Sequence, residues 1–247
     1  MTRVRTAVSD GTPDLSYSPI NATNEQLEAF VYSIAHDLRT PLRTVTGFSQ
    51  LLQQDYAGQL EPTAHQLLRR IHAASEFMDR LLLDLLAFGR TARAPMDLGP
   101  VEVRKALDTA VFQCLAQIEQ TQAQVEVQTP LPRVLAHEAT LGQCLANLVS
   151  NAVKFVAPGV LPKILLRTEE HGEKVQIWVE DNGLGIPRDQ QERIFRVFER
   201  LHGARYTGTG IGLSIVRKGV ERMGGRVGLE SEPGRGSHFW IELPKAP

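Results

Sequence analysis

Leu27, Val31, Ile34, Leu38, Pro41, Val45, Phe48 and Leu52 follow one another at alternating steps of four and three residues. A heptad repeat of this kind lines up along one stripe of a long helix. It predicts a helix from about Asn24, with Thr23 or Asn24 as N-cap and Glu25 and Glu28 in the first turn, to about Tyr56. Pro41 does not fit the seam. Its missing N–H leaves the carbonyl of Asp37 without a helical donor, which predicts a bend there. Ala57-Gly58-Gln59 breaks the helix, and Pro62 suits the first turn of a second one. The second seam reads Leu68, Ile71, Ser75, Met78, Leu82 and Leu85 and ends near Gly89. Two long helices joined by a short turn make a helical hairpin. A lone hairpin of this length cannot cover both of its apolar faces, so a dimer forming a four-helix bundle is expected.

Past residue 100 the texture changes. The patterning predicts helices over about 101–120, 138–155 and 211–223, the last closed by Gly224-Gly225. Strands are expected at Val125–Gln128, Ile164–Thr168, Val175–Glu180, Arg226–Glu230 and His238–Leu243, where β-branched and aromatic residues concentrate. This half therefore reads as mixed α/β with antiparallel hairpins. Residues 1–23, rich in Ser, Thr, Pro, Gly and Asp, read as a flexible lead-in, and residues 91–100 read as a linker.

Composition narrows the function classes. Lys and Arg total 27 against 28 Asp and Glu in 247 residues, a net charge of −1. No bulk electrostatic attraction to nucleic acid or anionic lipid is expected from that balance. The most apolar run, residues 81–88, is interrupted by Asp84 and falls well short of the ~20 residues a membrane span needs. Cys114 and Cys144 lie in apolar helical contexts and read as buried, reduced thiols of a cytoplasmic protein rather than as a disulfide or zinc ligands.

Four segments could carry chemistry. His36 takes the outermost position of the heptad, so its imidazole is expected to face solvent, largely neutral and nucleophilic, with Asp37 beside it to orient the ring or accept a proton. Asn147 and Asn151 lie four apart and Lys154 one turn further, a carboxamide pair and an ammonium suited to a cation and phosphate oxygens. Asp181-Asn182-Gly183-Leu184-Gly185 puts a carboxylate at a strand end, followed by two glycines that let a flat ligand approach the backbone. Gly208-Thr209-Gly210-Ile211-Gly212 opens a helix, so its backbone N–H groups can face an anion. That loop is neither a Walker loop nor a dinucleotide fingerprint. Taken singly, each of these segments is also compatible with an ordinary surface residue or turn.

Together, their order and spacing resemble the sensor histidine kinases of two-component systems. SIAHDLRTPL resembles the family's H box, QCLANLVSNAVKF its N box, DNGLGIP its G1 box, IFRVFERL its F box and GTGIGLSIV its G2 box. The tail GGRVGLESEPGRGSHFWIELP resembles the closing strands, so the likeness covers about residues 24–245. HDLRTPLR and RLHGARYTGTGIGL look closest to phytochrome-type and PAS-linked soluble kinases.

The resemblance implies a dimerisation and phosphotransfer hairpin at 24–90, followed by an α/β-sandwich ATP-binding domain at 101–247, of the type shared with gyrase and heat-shock chaperones. His36 would be the phosphoacceptor, Asp37 would assist proton transfer, and Thr40 would position water to dephosphorylate the partner response regulator. Asn151 would ligate Mg2+ beside Asn147, with Lys154 toward the phosphates of ATP. Asp181 would read the adenine amino group, and Gly183 and Gly185 would line its pocket. Gly208, Gly210 and Gly212 would let a lid close over the phosphates, anchored by Phe195 and Phe198, with Arg200 and Arg205 as candidate phosphate contacts. His137 departs from the family, many of whose members carry an acidic residue before the N-box helix. A clamp ATPase of the same fold and a non-catalytic dimeric scaffold are the rival readings. His36-Asp37 with Thr40-Pro41 argues against the first, and Asn151, Asp181 and the lid glycines against the second. The segments 1–23 and 91–100 are too short for a sensor domain. The sequence is thus expected to be the transmitter portion of a longer protein, or to take its signal from a partner.

Overall fold

Helix α1 (Pro19–Asp55) and helix α2 (Pro62–Arg93) are joined by a 3-10 turn at Ala57–Gln59. The computed structural model describes residues 19–93, 95–201, 206 and 208–247, with side chains from residue 33 onward except those of His36, Ala92 and Arg93. Most of the expected lead-in lies outside the described residues, but α1 begins at Pro19 rather than near Asn24. Proline is well suited to a first helical turn, where its absent N–H costs no bond. Pro41 stands inside a helix that continues through it to Asp55.

On α1 the hairpin's internal contact is not the seam read from the sequence, whereas on α2 the seam residues Ser75, Leu82 and Leu85 take part in it. Ala35, Leu42, Leu82 and Leu86 form its buried cluster, with Ser49 and Ser75 also buried. Three leucines and an alanine thus supply the apolar contact, and two serines lie buried beside it. Arg39 Nε donates to Asp79 Oδ1 at 3.1 Å, and Ser49 Oγ meets His72 Nδ1 at 3.3 Å, which sets the register of the pair. The heptad residues Ile34, Leu38, Val45, Phe48 and Leu52 stay exposed, as do Ile71 and Met78 on α2. The heptad stripe thus lies on the open face of the hairpin.

The second half is a sheet covered on one side by helices. A two-stranded antiparallel ribbon joins β1 (Gly99–Glu102) to β3 (Arg133–Ala136). The main sheet has the order β2 (Gln124–Val127), β4 (Lys163–His171), β5 (Lys174–Asp181), β7 (Gly236–Pro244), β6 (Arg226–Glu232). Only the β2–β4 pair is parallel. Helices α3 (Val103–Gln113), α4 (Leu115–Thr121), α5 (Glu138–Lys154) and α6 (Gly212–Arg222) complete the fold. The single helix expected over 101–120 is instead a strand followed by two helices that part at Cys114. Both cysteines are buried, free thiols.

Strand alternation builds the core. Val175, Ile177 and Val179 of β5 and Phe239, Ile241 and Leu243 of β7 are buried, and face Leu145, Leu148 and Val149 of α5 and Val216 and Val220 of α6 in one cluster. Truncating a fully buried leucine such as Leu145 to alanine would cost about 2–5 kcal/mol. On the opposite face Trp178 and Trp240 meet across the ladder, with the Arg167 guanidinium 4.8 Å above the Trp178 ring. The N-terminus of α5 is capped by His137, whose Nδ1 accepts from the Thr140 backbone N–H at 3.3 Å. The imidazole thereby does the capping work open to an acidic side chain at this place.

Candidate functional site

The inner face of the sheet ends in a cavity of about 270 Å³. The two-residue period that buries Val175, Ile177 and Val179 carries Asp181 to the same side at the end of β5, where it lines the cavity. Ser237 opposes it on β7 and also lines the cavity. Asp181 Oδ1 accepts from the backbone N–H of Gly183 at 2.8 Å and of Ser237 at 3.1 Å. Burial pushes the Asp181 carboxyl up to about 6, against the pull of those two bonds and of nearby His238.

Helix α5 forms the second wall. Its spacing brings Asn147, Asn151 and Lys154 to one face, while Leu148, Val149, Ala152 and Val153 turn into the core. The Asn147 amide Nδ2 is buried with no hydrogen-bond partner among the described residues, a costly state that a polar ligand in the cavity would relieve. Lys154 Nζ lies 4.1 Å from the centre of the Phe155 ring. Burial, then repulsion from Arg200, holds the Lys154 ammonium down to about 8. An incoming anion would add an attraction that favours the charged ammonium and opposes both effects.

The third wall is the loop into α6. Gly208, Gly210 and Gly212 all line the cavity. Gly210 has φ +77°, and a Cβ there would stand 2.8 Å from the carbonyl oxygen of Glu199. Gly185 lines the opposite side with φ +69°, and a Cβ there would fall 1.9 Å from the Glu232 carbonyl oxygen. Both positions demand a residue without a side chain.

Three of the expected site residues do not line the cavity. Phe195 is buried edge-to-face against Phe239, with ring centres 6.4 Å apart, while its neighbour Ile194 faces the cavity. Phe198 leaves its ring exposed and holds the loop through its backbone, whose N–H donates to Gly210 O at 3.0 Å. Gly183 stands behind Asp181 as a hydrogen-bond donor rather than at the cavity wall. Arg200 lines the cavity and donates to the Tyr206 carbonyl at 2.9 Å. Arg205 lies outside the described residues, as does the side chain of His36. The backbone of His36 belongs to α1, between buried Ala35 and exposed Asp37, and Thr40 is exposed one turn on.

Sequence reasoning missed several residues. Tyr206 packs on Phe155 with ring centres 5.5 Å apart, and its hydroxyl donates to Val156 O at 2.8 Å. Asp84 reaches the cavity from α2, and Thr209 Oγ1 donates to its Oδ2 at 2.5 Å. Ser237 could have been found, since it alternates with Phe239 and Ile241. Asp84 had no local signal.

A layered sheet with an acidic strand end, a carboxamide-bearing helix and a glycine loop at a helix start defines a nucleotide-binding ATPase fold. Residues 136–247 match the family of histidine kinase-, DNA gyrase B- and HSP90-like ATPases, and residues 26–93 match the His Kinase A (phospho-acceptor) domain. Cyanobacterial phytochrome A of Nostoc sp. is 34% identical over 226 residues, 91% of this chain and 29% of that protein. Sensor histidine kinase AruS of Pseudomonas aeruginosa is 34% identical over 240 residues, 91% of this chain and 23% of that protein. Full-length ShkA in complex with AMPPNP shares the architecture with a TM-score of 0.67 at 30% identity, over 88% of this chain and 46% of that one. The chain belongs to the sensor histidine kinases and carries their transmitter region. It spans less than a third of the length of these curated relatives. Among the described residues, no helix is long and apolar enough to cross a membrane.

Proposed function

We propose that the chain phosphorylates His36 with ATP and passes the phosphoryl group to an aspartate on the receiver domain of a response regulator. The observation that carries this reading is the cavity. Asp181, Asn151, Lys154 and the lid glycines line one space, and helix α2 of the phospho-acceptor hairpin forms part of its wall at Asp84. Asp181 would accept from the adenine amino group. Asn147 would supply its unpartnered amide donor, and Lys154 with the N-terminus of α6 would hold phosphate oxygens. The amide oxygen of Asn151 is a ligand type that a hard cation takes, so this residue would hold Mg2+, which neutralises phosphate charge. The AMPPNP in the ShkA structure supports the nucleotide assignment.

In the transfer step a nitrogen of the His36 imidazole attacks the γ-phosphorus. The bond from phosphorus to the β,γ-bridging oxygen breaks, ADP leaves, and the imidazole proton passes to Asp37. Such a step needs positioning and charge neutralisation more than covalent protein chemistry. Exposed Thr40, one turn beyond His36, would position the water that dephosphorylates the regulator. In this reading residues 24–90 form the phosphotransfer hairpin, 91–100 the linker and 101–247 the ATP domain, in a cytoplasmic homodimer, with the linker narrowed by α2, which runs on to Arg93, and by β1, which starts at Gly99. Incubation with γ-labelled ATP should give an acid-labile label on the wild type and none on His36→Gln, with nucleotide binding retained. Undiminished labelling of that variant would remove His36 from its role.

A further inference from the structure

The phospho-acceptor hairpin places an anion inside the cavity built for a polyanion. Asp84 lies on α2 between Leu82 and Leu86, whose side chains pack with Ala35, so it stands at the level of the His36 backbone. Its carboxylate lines the cavity together with Lys154, Gly208 and Gly210. Thr209, almost fully buried, donates its hydroxyl to Asp84 Oδ2 at 2.5 Å, and the Ile211 backbone N–H donates to the same hydroxyl at 3.3 Å. A second contact seats the helix further along. Arg222 of α6 donates to the Thr91 carbonyl at 2.6 Å.

The charges decide what this contact does. Asp84 is attracted to Lys154 and Arg80 and loses much of its hydration at the contact. It rests on the hydroxyl of the very loop whose glycines suit phosphate, and it shares the Lys154 ammonium that phosphate would need. Two anions in one partly dehydrated cavity repel each other. Linkage makes the effect reciprocal: a nucleotide that weakens the Asp84 seat is itself weakened by the seat to the same factor.

We propose that Asp84 is an internal competitor for the phosphate end of the nucleotide cavity: the seated hairpin weakens polyphosphate binding, and a bound polyphosphate releases the hairpin from Thr209. This rests on the reading of the cavity as an ATP site. Release would free the strip of α2 that lies level with the phosphoacceptor.

Calorimetric affinities of the full chain for ATP, ADP and adenosine test it. Asp84→Asn keeps an oxygen acceptor for Thr209 and removes the charge, and Asp84→Ala removes both. Both variants should bind ATP about 5- to 150-fold more tightly than wild type, the range expected of an ordinary coupling between two sites. ADP should gain less, and adenosine, which carries no phosphate, should bind all three proteins alike and so report an intact fold. Added salt should shrink the gain for ATP. Unchanged or weaker ATP binding by Asp84→Asn would overturn the proposal, as would an equal gain for adenosine. Wild type and variants that bind neither ATP nor adenosine would overturn the nucleotide reading itself, and the proposal with it.

Discussion

Asp181 and Ser237 face each other across the β5–β7 ladder, and the Ser237 backbone N–H donates to Asp181 Oδ1 at 3.1 Å. With Gly183 donating to the same oxygen at 2.8 Å, the carboxylate is fixed in rotation at the cavity wall. Burial holds its pKa up to about 6. An adenine amino group donates to the ionised carboxylate, so binding should favour deprotonation. ATP affinity is expected to be flat above about pH 6 and to fall as pH drops below it. Asp181→Asn should weaken ATP binding by about 10- to 100-fold at pH 8, the worth of one charged hydrogen bond, and flatten the pH profile. Calorimetry from pH 5 to pH 8 checks both effects.

The same residue should oppose stability in the nucleotide-free chain. Folding raises the Asp181 carboxyl, so its stabilising contribution is full below the ordinary carboxylate range. It is lost as pH rises through about 6. Asp181→Asn is neutral at every pH and keeps an oxygen for the two backbone donors. Its thermal midpoint should therefore exceed that of the wild type at pH 8 and approach it at pH 4. A midpoint below wild type at pH 8 would contradict the raised pKa.

Glu242 shows the opposite sign. It is buried on the outer face of β7, where Lys174 donates to its Oε1 at 2.8 Å, Arg226 to the same oxygen at 2.8 Å and Gln176 to Oε2 at 3.3 Å. The Lys174 bond leads these effects in holding its carboxyl down to about 2, against the cost of burial. Its contribution is present above the ordinary carboxylate range and is lost as pH falls through about 2. Glu242→Gln should cost about 1–3 kcal/mol at pH 7, and the difference from wild type should vanish in strong acid. Urea unfolding at several pH values measures the gap.

Gly185 and Gly234 separate backbone strain from steric overlap. Both have positive φ, +69° and +79°, but a Cβ on Gly185 meets the Glu232 carbonyl at 1.9 Å, whereas one on Gly234 meets nothing within 4 Å. Gly234→Ala should cost about 1–2 kcal/mol for the left-handed backbone alone. Gly185→Ala should cost more and also weaken ATP binding, because the wall of the cavity must move. Equal losses in unfolding midpoint would refute the overlap.

How far these features could be read from the chain depends on how local their causes are. The period of β5 projects Asp181 toward the core side, and the spacing of Asn147, Asn151 and Lys154 puts them on one helix face. These placements follow from backbone geometry alone. Strand β1 escaped because Gly99 and Pro100 weaken its strand signal and Val101 and Val103 suit the apolar face of the helix that follows. The lid role of Phe195 came with the family resemblance, and a 3-10 turn has no regular apolar period from which to read that Ile194, not Phe195, takes the cavity side. Asp84 interrupts an apolar run in α2, and only the packing of a distant loop on that helix gives it a role.

The open stripe on the hairpin gives the last prediction. Leu38 is 51% exposed, Phe48 63% and Leu52 41%, on the heptad stripe of α1, while the hairpin's own contact uses Ala35, Leu42 and Ser49. An apolar stripe of this length in water favours a second copy, which would complete four helices. Phe48→Asp should therefore give a monomer in sedimentation at concentrations where the wild type is dimeric. Phe48 lies outside the hairpin's buried cluster, so helicity measured by circular dichroism should fall little. A variant that remains dimeric would show that this stripe is not the interface.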